Sequence, residues 1–447
     1  MASLAERHEA LIQWVQQAGG QLHHAVEVYH DELTKGSLRV KPCTVLGSDE
    51  SVVTLPLSCS LSYLNAIAGH PKYANATPSA ISKPQDGEYF SDEFLSKTPA
   101  HVVGRFLLMQ EYRRGHKSAW WPYIRTLPQP EHMASMLPVT WPPDDVEFLR
   151  GTNAYIATSE IKSTLRKEHR QAMSLLPSTL KFEYTRMLYY WAYCIFTTRS
   201  FRPSLIIPEE DLCVLPCTPD DFSVLLPLFD VGNHSPFAKV SWVTDNDIRT
   251  CSLKSGQTYS EGQQIYNNYG TKTNAELLLG YGFILPESEE FHNDYVHVKT
   301  RANPEAGDLN ASHIVSLRPI AHASSATGQS RLLDPSHTLC IAPLSHFQDS
   351  LIAALYESMN SGSEGASDPS LTDIMQGRIS GRMLEKMLDV LATKLSIDLE
   401  EIEMHDPPYE ATSPNQRLAA HYRDQCKKVL CHALGSLSDP EYAVRDV

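Results

Sequence analysis

The sequence has no apolar run approaching the ~20 residues that span a bilayer. Its first residues, MASLAERHEALIQWVQQ, are amphipathic and acidic rather than basic and then apolar. Neither a membrane span nor an export signal is expected, and no membrane partner. Positive charge is also scarce: 38 Lys and Arg stand against 53 Asp and Glu, for a net charge of −15. Because nucleic-acid backbones select clustered cations, nucleic acid is excluded as the main partner and a basic protein segment is favoured. The nine cysteines, at 43, 59, 194, 213, 217, 251, 340, 426 and 431, are odd in number and follow no regular spacing. That is the pattern of reduced thiols in an intracellular protein, cytoplasmic or nuclear. Cys213 and Cys217 approach metal-ligand spacing, but no second Cys/His pair accompanies them, so no metal is expected. Glycine (22) and proline (29) are at ordinary levels, which speaks against wholesale disorder.

What is present is a chain of 447 residues, 42% apolar, too long for one small core and able to fill two or three. Leu4, Leu11, Ile12 and Val15 predict a short amphipathic helix stopped at Gly19-Gly20. Residues 36–58, GSLRVKPCTVLGSDESVVTLPLS, mix β-branched runs with turn residues and predict short strands in a meander. From about 100 to 200 the pattern is helical, as in HVVGRFLLMQEYRRG and KFEYTRMLYYWAYCIFTTRSF, broken by WWPYIRTLPQP and WPPDD. Strands return with SVLLPLFDV, KVSWVTD and SLKSGQTYSEGQQIYNNYG. A helix follows in TNAELLLGYG, with Thr273 or Asn274 as its cap and Gly280 to Gly282 as its end. Beyond residue 300 the sequence reads as helical, with a small polar loop, SGSEGASDPS, at 361–370 that is expected to be mobile. The last helix carries a docking stripe of Leu418, Tyr422, Cys426, Val429 and Ala433, with Lys427 and Lys428 expected on its solvated face. No solenoid repeat is found, and a monomer is the simplest state.

Three segments concentrate polar and aromatic chemistry that no apolar periodicity explains. They are TTRSF at 197–201, FDVGNHSP at 229–236 and YNNYGTKTNAELLLGYGF at 266–283. The last holds Tyr-Gly twice, at 269–270 and 281–282, where glycine lets the chain turn and leaves each phenol free to line a cleft. Singly these signals are weak, since a lone tyrosine is most often a core residue with one hydrogen bond. In this order they resemble the SET-domain protein methyltransferases, and among them the split-SET class typified by the Rubisco large-subunit lysine methyltransferase. Weaker echoes in LIQWVQQAGGQLHHAVEV, SAWWPYIRTLP, FLRGTN and NQRLAAHYRDQCKKVL extend the resemblance over nearly the whole chain.

The resemblance implies an α+β architecture of small antiparallel sheets, divided by a helical insert and followed by a helical substrate-binding domain. The expected segments are 1–100, 101–205 for the insert, 206–300 with the motifs, and 301–447. It implies S-adenosylmethionine as cofactor and a lysine on a non-histone protein, such as a ribosomal protein or translation factor, as acceptor. The NH and YG segments are expected to cross in a pseudoknot-like threading. Asn233 and His234 would lie against the cofactor, the Asp230 carbonyl near the reaction channel, and Arg199 on the cofactor's carboxylate with Phe201 in the same wall. Tyr281, with Tyr269 beside it, would be catalytic. The family's glycine-rich opening turn is reduced here to Lys35-Gly36-Ser37-Leu38-Arg39, with Gly36 and Ser37 as its cofactor-facing positions. That departure leaves open a SET-derived binding protein with weak turnover. Histidine is the alternative acceptor, but relatives modifying histidine depart from the tyrosine that Tyr281 retains.

Overall fold

The computed structural model describes residues 3–30, 35–68, 70–73, 77–78, 80–84, 90–213, 215–245, 249–300, 312–360 and 369–438. Contacts group the chain into two units, one from residues 1–133 and 162–270 and the other from 134–161 and 271–447. The polar stretch 361–370 lies outside the described residues as far as 368.

The first unit is built on three small antiparallel sheets, in keeping with the α+β expectation. One runs Gln21–Leu22, Ser51–Pro56, Thr250–Ser255, Val240–Asp245 from edge to edge. A second runs Gln264–Ile265, Ser37–Val40, Val26–Tyr29, and a third Leu61–Ser62, Val224–Leu225, Ser200–Phe201. The β-branched and alternating runs read from the sequence supply these strands, with Val53, Leu55, Cys251 and Leu253 buried in the largest sheet. The amphipathic helix Leu4–Gln17 opens with a capping box from Ser3 and Glu6 and buries Leu11 and Val15. Helices Ala100–Arg114 and Arg186–Arg199 pack together. Between them Glu168 Oε2 accepts hydrogen bonds from Arg105 Nη1 (2.8 Å) and the Tyr189 hydroxyl (2.8 Å), so the half-buried charge is paired.

In the second unit the helix Asn274–Tyr281 begins with the expected cap: Thr273 and Glu276 form a capping box. It ends at Gly282, where φ is +78° and a Cβ would collide with the Met136 carbonyl oxygen, so only glycine serves. The stretch beyond 300 is mainly helical, but its first described element is a strand. Ser312–Ser316 pairs antiparallel with Tyr295–Lys299 because Ile314 and Val315 are β-branched and both fully buried. The docking stripe of the helix Pro414–Leu437 is observed: Tyr422, Cys426, Val429 and Ala433 are buried and Leu418 packs on the same core. Lys427 and Lys428 are not merely solvated, since Lys427 Nζ lies 2.7 Å from both Asp406 oxygens and Lys428 pairs with Glu287.

Asn274 ties this unit's polar centre. Its Oδ1 accepts from the Leu285 amide (2.8 Å), while its Nδ2 donates to the Leu285 carbonyl (2.9 Å) and to Asp294 Oδ1 (3.1 Å). Burial pushes the Asp294 carboxyl up from 3.8 to about 6. Burial, with the charge of Arg318, pushes the nearby His292 imidazole down from 6.5 to about 4. The stability tied to Asp294 is therefore full below 3.8 and lost as pH rises through 6, whereas that tied to His292 is full above 6.5 and lost as pH falls through 4. The two oppose each other at roughly 3 kcal/mol apiece. Asp294→Asn should leave His292 unopposed, so thermal midpoints recorded from pH 7 to pH 4 should fall more steeply than in the wild type; parallel curves would refute the pairing.

Candidate active site

The helix Arg186–Arg199 passes directly into the strand Ser200–Phe201, which pairs with Val224–Leu225. From that partner strand the chain runs to Leu228, whose φ of +70° is strained for a non-glycine residue, and into a single 3-10 turn at Phe229–Val231. This pairing brings Arg199 to Asp230 from 31 positions away. Arg199 Nη1 donates to the Asp230 carbonyl oxygen (3.0 Å) and to its Oδ2 (3.2 Å). The buried Tyr123 hydroxyl donates to the same Oδ2 at 2.9 Å.

The Asp230 side chain is 2% exposed and that of Arg199 27%. Asp230 Oδ1 is buried and has no hydrogen-bond partner. Burial pushes the Asp230 carboxyl up, against the opposing pull of Arg199 and Tyr123. Burial works to lower the Arg199 pKa, but Asp230, Tyr123 and Tyr269 together more than offset it and the net direction is upward, so the guanidinium stays charged. Burial and then Asp230 push the Tyr123 phenol well up, which keeps it a donor. His8, on the first helix, is pushed down to about 4 by burial and by the charge of Arg199, so it faces this cluster as a neutral imidazole.

The 230s and 260s interlock as the sequence led one to expect. His234 and Asn267 form a parallel bridge, with the Asn267 amide donating to the Asn233 carbonyl (2.7 Å) and the Ser235 amide to the Asn267 carbonyl (2.9 Å). The Tyr269 amide donates to His234 Nδ1 (3.1 Å), which assigns the ring proton of a neutral His234 to Nε2. The Tyr269 hydroxyl donates to the Gly232 carbonyl (2.9 Å), and the two rings stack with centroids 5.0 Å apart. The Asn233 side chain is held from beneath: its Nδ2 donates to Gln264 Oε1 (2.9 Å), and Gln264 Nε2 donates to the Tyr29 hydroxyl (2.7 Å).

Phe201 lies in a wall with Phe229 and Trp242, at centroid distances of 6.4 and 5.2 Å. Gly36 has open space where a Cβ would stand, and Lys35 before it adopts φ of +72°. Ser37 begins the strand opposite Tyr29, fully buried, and its hydroxyl has no partner. A cleft of about 420 Å³ lined by Leu205, Ile207, Pro208, Trp242 and Thr244 lies away from Arg199 and His234, sharing only Trp242 with the aromatic wall. Among the described residues no group of three His, Cys, Asp or Glu side chains could hold a metal, and no helix is long and apolar enough to cross a membrane.

The structure thus brings Arg199, Asp230, Asn233, His234 and Tyr269 into one hydrogen-bonded region, with Phe201 beside it and Gly36 and Ser37 linked to it through the strand pairing of Leu38 with Ile265. Tyr281 belongs to the other unit, as the last residue of its helix, with Phe283 at 6.3 Å and the Lys272 ammonium 6.0 Å from its ring. Sequence reasoning did not single out Tyr123, Gln264, Tyr29 or His8. Tyr123 stood within the SAWWPYIRTLP echo, but nothing in that segment signalled a carboxylate 107 positions away.

No family model matches the chain. It is similar to the ribosomal lysine N-methyltransferase set10 of Schizosaccharomyces pombe, 30% identical over 302 residues, which is 67% of this chain and 48% of the relative. It is also similar to an actin-histidine N-methyltransferase of Gallus gallus, 30% identical over 48% of this chain and 34% of the relative. The chain therefore spans about half, or less, of the curated relatives it matches. Among solved structures, the SET domain of LSMT bound to lysine and AdoHcy superposes with a TM-score of 0.69 at 16% identity, covering 100% of this chain and 94% of that one. Rubisco LSMT bound to AdoMet gives 0.65 at 17% identity, covering 100% and 94%.

Tyr123→Phe should leave the buried Asp230 carboxylate with Arg199 alone and cost about 1–3 kcal/mol at neutral pH. Loss of the donor raises the Asp230 pKa further, so the deficit should shrink as pH falls and the carboxyl protonates. Urea denaturation at pH 7.5 and pH 4.5 reads this directly. An equal deficit at both would show that Tyr123 matters for packing and not as a donor.

Proposed function

We propose that this chain, which has the split SET fold seen in Rubisco lysine methyltransferase, transfers a methyl group from S-adenosylmethionine to a lysine side chain of a non-histone protein. The observation that carries the reading is the interlock of residues 230–234 with 267–269, closed by Arg199 on Asp230. The donor set fits the cofactor. Arg199 is partly exposed and meets Asp230 through Nη1, so its planar fork suits the carboxylate of a methionine moiety. His234 Nε2, the backbone of 230–234 and the Phe201 wall offer a polar and aromatic lining. Of the two residues of the reduced glycine turn, Gly36 leaves room for a ligand, whereas the buried Ser37 side chain supports only a backbone role.

When bound, the cofactor supplies an electrophilic methyl on a sulfonium. The remaining requirements fall on the protein. The acceptor amine must be neutral, and for a lysine of pKa ~10.4 that costs roughly 4 to 5 kcal/mol at pH 7. An aromatic, water-poor channel reduces the cost by disfavouring the ammonium, and the proton leaves to solvent before transfer. Tyr281 is assigned to orienting the amine lone pair and Tyr269 to fixing the channel turn, so alignment rather than a strong base supplies the rate.

Lysine is favoured as acceptor because the GYGF sequence keeps Tyr281 and because set10 is named for ribosomal lysine methylation. A ribosomal protein is the substrate class we put first, which suits the net charge of −15. Histidine is the second reading, supported by the actin-histidine relative. The test is transfer of labelled methyl from S-adenosylmethionine into a cell extract, with mass spectrometry of the labelled protein. A methyl-lysine product is expected; methyl-histidine would replace the acceptor, and no label despite cofactor binding would favour a binding protein. Tyr281→Phe should lower turnover at least about tenfold, about 1.4 kcal/mol of barrier, with cofactor affinity within about twofold. Unchanged turnover would remove Tyr281 from the mechanism.

A further inference from the structure

From residue 162 onward the helix Asn153–Ser174 belongs to the first unit. One face turns inward: Leu165 and Ala172 are buried, with Glu168 and His169 half-buried between them. The helical period puts Arg166, Lys167 and Arg170 on the opposite side, and all three are exposed. The chain then folds back on this stretch. His169 Nε2 donates to the Tyr184 carbonyl (2.8 Å), and the Tyr189 hydroxyl donates to Glu168. Segment 181–187 is thereby held beside the helix and adds Lys181 and Arg186, both exposed.

The surface so formed has one sign. Residues 162–187 hold six Lys and Arg against two glutamates, in a chain whose net charge is −15. Both glutamates are already neutralised, Glu168 by Arg105 and His101 and Glu183 by Arg113. Among the described residues, Arg166, Lys167, Arg170, Lys181 and Arg186 form no ion pair and no side-chain hydrogen bond. One exposed cation is ordinary, but five unpaired in one stretch set up a positive potential. Acids elsewhere on the chain are screened beyond a Debye length of ~8 Å at physiological salt, so the local charge decides what binds here. The same stretch exposes two large apolar side chains, Phe182 at 74% and Met187 at 60%.

We propose that this surface binds single-stranded RNA, with its cations on phosphates and the Phe182 ring against a base. Phosphates are the anions that a row of unpaired Arg and Lys selects, and a base is the flat partner that an exposed ring among cations accepts. A lipid surface would need an apolar outer face on the helix, and there Ser163 and Ser174 accompany the cations. An acidic peptide would satisfy the charges and leave Phe182 unused. The choice of RNA over DNA rests on the ribosomal substrate class proposed above. The net charge argued against nucleic acid as the main partner of the chain, and this surface is a second, local contact. Arg199 lies at the other end of the helix that Arg186 begins, roughly 20 Å along its axis, so RNA held here leaves the Asp230 cluster clear.

Fluorescence anisotropy of a short labelled single-stranded RNA, titrated with the full chain over a range of salt, tests it. Saturable binding is expected, with log Kd rising on log salt by about 0.7 for each phosphate met, or roughly 3 to 4 for five. Lys167→Glu with Arg170→Glu should weaken binding at least about tenfold and flatten that slope. Phe182→Ala should weaken it at least about fivefold and leave the slope alone, because stacking releases no counterions. Thermal midpoints equal to the wild type identify these exposed-site variants as folded. No step uses S-adenosylmethionine, so failure here leaves the methyl-transfer reading standing, and the reverse. Absence of RNA binding at low salt, or affinity indifferent to both variants, would overturn the proposal. So would tighter binding to single-stranded DNA, to polyglutamate or to phosphatidylserine vesicles than to RNA.

Discussion

The first unit depends on how one buried carboxylate is compensated. An ionised Asp230 with a side chain nearly sealed from water would be prohibitive alone. It is tolerated because a guanidinium and a phenol reach it from two other parts of the chain: Arg199 from a helix end and Tyr123 from the short helical turn Trp121–Ile124. Each partner fixes a segment. The helix Arg186–Arg199 must end where it does, the strand Ser200–Phe201 must pair with Val224–Leu225, and the strained Leu228 must turn the chain so that both Asp230 oxygens, carbonyl and carboxylate, face Nη1. The left-handed backbone at a leucine costs on the order of 1–3 kcal/mol, which the surrounding bonds offset.

The second constraint is the crossing of 233–235 with 267–269. Backbone bonds carry part of it, and side chains carry the rest: His234 Nδ1, the Tyr269 hydroxyl and Asn268 Nδ2 each hold a backbone group of the facing segment. His234 shows the division: Nδ1 accepts from the Tyr269 amide and thereby holds Nε2 as a donor in the neutral ring. Asn233 behaves otherwise, since its Nδ2 donates to Gln264, which donates in turn to the Tyr29 hydroxyl. Its part in ligand binding then rests on its backbone and on the positioning of its neighbour, a narrower role than the motif alone suggested.

Much of this was legible in the sequence, and for identifiable reasons. Local signals worked where chemistry is local: Thr273 as a cap, Gly282 as a left-handed stop, and the stripe from Leu418 to Ala433 as a buried face. The RSF, DVGNH and NNYG segments were recognised by their order, and the structure shows why the order matters, because each bonds another. The strand Ser312–Ser316 was missed because five residues are too few for a period to register against helical neighbours. Tyr123 was missed because a phenol that serves a distant carboxylate has the same sequence signature as one that fills a core. The ion pairs of Lys427 and Lys428 were missed for a related reason, since a lysine on a polar helix face does not announce an acid brought to it by the fold.

The groups around Arg199 share one electrostatic property. His8 is pushed to about 4, Tyr123 is pushed far above neutrality, and Asp230 is bound to a guanidinium that keeps its charge. Neither His8 nor Tyr123 provides a base poised near pH 7, the arrangement expected of general-base catalysis. The cluster is instead suited to presenting a fixed positive charge in a constant state. If methyl transfer is the function, pH dependence near neutrality then falls on the acceptor amine itself, whose deprotonation neither His8 nor Tyr123 assists. A site of that kind gains its rate by holding both reactants in line, and the rigid compensation of Asp230 is the feature that makes such holding physically possible.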